Sequence, residues 1–136
     1  MVAALNPGGW LVDEEFDSSI DQVSSPIPGE VYSKTYVAMA QTMDSRGIDR
    51  KFGRRLFGRL RAHGLVDVTA EGRNFMWHSG SPGVSLLRSN YEQLRTTMID
   101  AGYITEREFN EDLAGLDDPR FMMPSPILWT AWGRRP

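Results

Sequence analysis

The sequence predicts an α/β fold in which three short strands alternate with amphipathic helices. Three observations carry that expectation. Hydrophobic residues at 40% and charged residues at 24% of 136 positions are an ordinary globular balance, enough for one core. Apolar residues recur at helical spacing over about 31–46, 49–63, 84–101 and 105–116. The short runs Trp10–Glu15, Leu65–Glu71 and Ile127–Trp132 suit strands, by alternation or by near-continuous apolar character.

The elements follow in order. Met1, Val2 and Leu5 form the apolar end of a helix, stopped by Asn6-Pro7-Gly8-Gly9, where proline lacks an N–H and glycine tolerates positive φ. Trp10-Leu11-Val12 is a buried strand, and the acidic run Asp13, Glu14, Glu15, Asp17 begins where it reaches a surface. Ser18 to Gly29, rich in Ser, Pro and Asp, is a surface loop, with Ser18, Ser19, Ser24 and Ser25 in solvent. A helix from Val31 to Arg46 aligns Tyr32, Tyr36, Val37, Met39, Ala40 and Met43, with Gly47 at its carboxyl end. Asp49 caps a second helix whose stripe is Phe52, Leu56 and Leu60. Arg50, Lys51, Arg54, Arg55, Arg59 and Arg61 surround that stripe. A net charge of −3 favours a solvated helix face over a phosphate site. His63 suits the negative end of the helix dipole, and Gly64 ends the helix.

Leu65 to Gly72 alternates as a strand, which Arg73 to His78 extends; His78 is a structural histidine near its end. Ser81 or Ser85 caps a helix from Val84 to Ala101, with Leu86, Leu87, Tyr91, Leu94 and Met98 on its apolar face. Thr105 and Glu108 match a capping box for a helix carrying Phe109, Leu113 and Leu116. Pro124-Ser125-Pro126 leads stiffly into the last strand, and Gly133 to Pro136 is a polar tail. With no repeat or dividing linker, residues 1–136 are expected to form a single domain.

Composition removes several classes of function. Zero cysteines exclude disulfides, thiolate catalysis and cysteine-ligated metals. Nothing suggests a nucleic-acid footprint, a spanning helix or a signal peptide, so the expectation is a cytoplasmic protein without nucleic-acid or membrane partners.

Leu5-Asn-Pro-Gly-Gly9 before Trp10-Leu-Val-Asp resembles the turn before the fifth strand of class I S-adenosylmethionine-dependent methyltransferases. Gly53, Leu56, Gly64, Leu65, Asp67 and Val68 are similar to that family's helix leading into its sixth strand. Ile127 to Trp132 with Gly133-Arg-Arg resembles its seventh strand, and the helical segment of about 84–118 resembles the insertion of small-molecule methyltransferases. The resemblance spans nearly the whole chain. It implies a partial Rossmann-like fold: a three-stranded mixed sheet with flanking helices and a helical insertion, the last strand lying between the other two and antiparallel to both.

The family's cofactor motif is missing. No Gly-x-Gly-x-Gly turn follows a strand, and Asp13, Glu14 and Glu15 match the fifth strand rather than the second, which carries the ribose-binding acid. The resemblance therefore implies S-adenosylmethionine as the cofactor of the complete enzyme, with no cofactor-binding residues here and none bound by this chain alone. Catalytic residues are not identified, and no metal site is expected.

Ligands of open α/β sheets sit at the carboxyl ends of parallel strands. That makes Glu14, Glu15 and Asp17, with Tyr32 and Tyr36, the substrate-pocket candidates; a solvated strand end and plain core are the bland readings. Met39 and Met43 are further wall candidates. The expected function is methyl transfer to a small-molecule acceptor in the complete enzyme. The alternative is a non-catalytic remnant serving as a dimerisation or interaction module, and a fragment of a nicotinamide oxidoreductase is disfavoured by the Pro-Gly-Gly turn and the final antiparallel strand. The strand at Trp10–Val12, lacking a neighbour, predicts a homodimer or association with a complementary chain.

Overall fold

The computed structural model describes residues 2–19 and 33–136. The expected start of a helix at Val31, together with Tyr32, Ser24 and Ser25, lies outside the described residues. The chain divides into two compact units, 1–20 with 50–74 and 126–136, and 21–49 with 75–125.

In the first unit a 3-10 turn at Val2–Ala4 replaces the expected helix end. Asn6 to Gly9 forms a tight turn with Gly8 at φ +78° and Gly9 N–H donating to the Asn6 carbonyl at 2.9 Å. Proline second and a positive-φ glycine third are what a type II turn requires. Strand β1 follows at Trp10–Asp17, helix α1 at Lys34–Ser45, helix α2 at Phe52–Ala62 and strand β2 at Val66–Arg73. Strand β3 is Met76–His78, helices α3 and α4 are Pro82–Asp100 and Glu106–Gly115, and strands β4 and β5 are Met122–Pro124 and Ile127–Arg134.

The sheet of the first unit runs β1-β5-β2, with β5 antiparallel to both neighbours. The last strand in sequence is therefore the central one. The expected mixed sheet is corrected in one respect: both ladders are antiparallel, because β1 and β2 run the same way but never touch. Of the expected extension from Arg73 to His78, only Arg73 belongs to β2. The chain leaves the sheet at Asn74, and Met76–His78 pairs with β4 in a separate two-stranded sheet of the second unit.

Helix α2 covers one face of the three-stranded sheet. Leu56 and Leu60 are buried with Leu65 and Ala131, and Val2, Leu5, Leu11, Val68 and Trp129 pack around them. Gly53 is where the helix comes closest: a Cβ there would lie 2.5 Å from the Glu15 carbonyl oxygen and 3.0 Å from the Phe16 carbonyl carbon. Lys51, not Asp49, occupies the N-cap position, and no side chain caps it. The turn before α2 is instead tied to the end of β1, where Ser18 N–H donates to the Arg50 carbonyl at 3.0 Å. At the other end of β2 a bulge between Val66 and Thr69 places Asp67 at φ +53° opposite the Gly133 region of β5. Aspartate tolerates that conformation, and Arg134 binds its carboxylate at 2.7 Å.

The second unit packs α1, α3 and α4 around Tyr91, Met98 and Phe109, all nearly or fully buried. Ser81 caps α3, and Thr105 with Glu108 forms the expected capping box on α4. No helix among the described residues is long and apolar enough to cross a membrane.

Candidate functional site

Strand alternation decides what the acidic run at the end of β1 can do. Trp10, Val12, Glu14 and Phe16 share one face of the sheet; Leu11, Asp13, Glu15 and Asp17 share the face that α2 covers. The three candidate carboxylates thus sit on one strand but on two faces.

Asp17 is buried, with 1% of its side chain exposed. Its carboxylate pairs with the Arg54 guanidinium and accepts from Ser19 N–H at 3.0 Å and Ser19 hydroxyl at 2.7 Å. Burial alone pushes this carboxyl up, but the hydrogen bonds from Arg54 and Ser19 outweigh it and hold the group below the usual carboxylate range. Gly53 makes the arrangement possible by letting α2 approach, which brings Arg54 to the strand end. Asp17 is therefore a fastening between β1 and α2.

Glu14 faces the other way. Its Oε1 accepts from Arg73 and from the Thr130 hydroxyl, each at 2.5 Å, and Arg73 also donates to the Thr130 oxygen at 2.7 Å. This Glu14–Thr130–Arg73 cluster crosses all three strands, one residue from each, and about half of the Glu14 side chain is open to solvent. Glu15 is exposed and bonds Phe16 N–H at 2.8 Å.

Tyr36 belongs to the core of the second unit, 9% exposed, packed with Met39, Tyr91 and other buried residues. Tyr32 lies outside the described residues. Met39 and Met43 do line a groove of about 270 Å³ between α1 and α3, together with Leu94, Ile48, Thr42 and Arg46. Tyr36 is not among its walls. Among the described residues no cluster of three His, Asp or Glu side chains is placed to hold a metal ion.

Sequence reasoning missed Arg54, Arg73 and Thr130. Arg54 was hidden among five other basic residues around α2, and only the tight approach at Gly53 distinguishes it. Arg73 and Thr130 meet Glu14 only through the β5 register. The sequence matches no protein-family model and no curated protein.

Proposed function

We propose that this chain is the carboxyl-terminal, acceptor-side part of a class I S-adenosylmethionine-dependent methyltransferase, acting on a small molecule. The single observation that supports the reading is the strand order. The last strand of the sequence lies between β1 and β2 and runs against both, as the resemblance implies for the family's seventh strand between its fifth and sixth. The 136 residues contain no glycine-rich turn after a strand, so cofactor binding falls to residues outside them. Methyl transfer needs the sulfonium carbon held in line with the acceptor atom. This chain's contribution is the wall that positions the acceptor. Glu14 and Glu15 lie in the second half of β1 on opposite faces, both exposed, with Glu14 held by Arg73 and Thr130, whereas Asp17 is committed to Arg54.

The isolated chain is then inactive and does not hold the cofactor. Calorimetric titration with S-adenosylmethionine and with its demethylated product tests this. The expected result is no saturable binding at low micromolar ligand. A dissociation constant near 1 μM, roughly −8 kcal/mol, would overturn the assignment of the cofactor to other residues.

The second reading, an interaction module without catalysis, draws on exposed apolar side chains: Trp10 is 53% and Val12 62% open to solvent on the face away from α2. It predicts that no glycine-rich half is encoded upstream of Met1 in the same reading frame.

A further inference from the structure

Strand β3 pairs with β4 so that His78 lies directly opposite Met122 and Trp77 opposite Met123. Alternation then sorts the side chains between the two faces. Trp77 and Met123 turn inward: Met123 is buried in the core of the second unit, and Trp77 packs against that core. Met76, His78 and Met122 turn outward, and all three are exposed. As a cross-strand pair, His78 and Met122 have Cβ atoms about 4.5–5.5 Å apart, and Met76 lies on the diagonal at about 7–8 Å from Met122. Met76 and His78, next neighbours on one face of a strand, are about 6.5–7 Å apart. One face therefore carries two thioethers and one imidazole, at a spacing that the long, flexible methionine side chains can close.

His78 is oriented to act as a ligand. Its Nδ1 lies 3.0 Å from the Ser79 carbonyl oxygen. A carbonyl only accepts, so the proton of the neutral ring sits on Nδ1 and the lone pair on Nε2. Nε2 has no partner among the described residues. Metal-ligating histidines are held in this way, one ring N–H on a backbone carbonyl and the other nitrogen open. The backbone beneath is fixed. His78 N–H donates to the Ser81 hydroxyl at 3.2 Å, Ser81 N–H to the His78 carbonyl at 2.9 Å, and Ser79 N–H to the Phe121 carbonyl at 3.1 Å. On the inner face the Trp77 ring fills the space that a Cβ at Gly83 would take, so the start of α3 sits directly on β3.

The thioethers decide which metal suits the trio. Thioether sulfur is a soft donor that selects Cu(I), whereas Mg(II) and Ca(II) want oxygen ligands. We infer that Met76, His78 and Met122 form a binding site for Cu(I), open to solvent on its outer side. No metal site is expected from the sequence because His78 stands alone along the chain; the β3–β4 register supplies its partners. The inference goes beyond the methyltransferase reading and stands without it, because both strands belong to the second unit.

The test uses the full chain with ¹³C-methyl methionine and Ag(I), a soft monovalent ion that stands in for Cu(I) without redox chemistry. Titration is expected to saturate at about one equivalent, moving the Met76 and Met122 methyl signals and the His78 ring signals while those of the buried Met39 and Met98 stay. Cu(I), added without oxygen, should move the same signals, and Zn(II) at the same concentration should leave the methyl signals unmoved. Met76→Leu, Met122→Leu and His78→Ala should each weaken Ag(I) binding by about tenfold or more in competition with a chelator. His63→Ala, at the histidine outside the trio, should not. Leucine matches methionine in volume and both methionines are exposed, so these variants keep the fold. No saturable shift at Met76 and Met122, a loss for His78→Ala no greater than for His63→Ala, or a response to Zn(II) equal to that for Ag(I) would each overturn the inference.

Discussion

Gly53→Ala, compared with Gly58→Ala, is the sharpest test of how α2 is seated. Both glycines lie in α2, and an alanine at either position gains helix propensity of up to about 1 kcal/mol. Gly58 has no atom within 4 Å of the place a Cβ would take, so its variant should keep that gain and be stabilised by about 0.5–1 kcal/mol. At Gly53 the same atom would lie 2.5 Å from the Glu15 carbonyl oxygen and 3.1 Å from the Asp17 nitrogen. Those are backbone atoms of a strand hydrogen-bonded to β5, so the strain is relieved only by moving the helix. Overpacking of this kind costs about 1–3 kcal/mol, which exceeds the propensity gain and leaves the variant less stable than wild type. The propensity gain is common to both variants and cancels, so they should differ by roughly 1–3 kcal/mol, the cost of the overpacking. Urea unfolding followed by tryptophan fluorescence is the assay. Trp10, Trp129 and Trp132 belong to the unit that contains α2, and Trp77→Phe removes the one that does not. Midpoints that move in the same direction by the same amount for both variants would refute the close approach.

The remaining predictions concern the strand end, the second unit and the edge. Asp17→Asn should cost about 1.5–3 kcal/mol at neutral pH, the range for a hydrogen bond to a charged group. Because the folded carboxyl titrates below its unfolded value, that contribution is present above about pH 4 and is lost as pH falls through the folded value, so wild type and variant should converge in acid unfolding curves. Arg54→Ala should raise the pH of acid unfolding, since Asp17 then keeps its burial but loses its cation. Phe109→Ala, at a fully buried position, should cost about 3–5 kcal/mol in thermal unfolding, and Thr105→Ala about 1 kcal/mol through loss of the α4 cap. Val12→Lys should leave stability nearly unchanged, because Val12 is 62% exposed, whereas Leu11→Lys should unfold the first unit, because Leu11 lies beneath α2.

The limits of what the sequence discloses follow from which interactions are local. Caps and stops are local, and Thr105 with Glu108, Ser81, Gly47, Gly64 and Gly102 all act where the sequence places them. The near-continuous apolar run Ile127 to Trp132, interrupted only by Thr130, suits a central strand, and β5 lies between β1 and β2. Asp49 failed as a cap because the turn before α2 is governed by Ser18 and Arg50, residues 32 positions apart. The β3–β4 pair was invisible because three-residue strands carry too little pattern to show a period. The candidate site fared similarly. Glu14, Glu15 and Asp17 were legible as a group, but alternation sends them to different faces. Their partners Arg54, Arg73 and Thr130 are brought to them by register and helix packing, which leave no local mark.

The claim that this chain is the acceptor-side part of a methyltransferase is tested most directly by restoring what it lacks. The polypeptide encoded in the reading frame upstream of Met1 is expressed joined to the 136 residues and titrated with S-adenosylmethionine beside the chain alone. The account predicts saturable binding, with a dissociation constant of about 1–100 μM, roughly −8 to −5 kcal/mol, for the extended chain only. Binding by the short chain alone, or no gain from the extension, would contradict it.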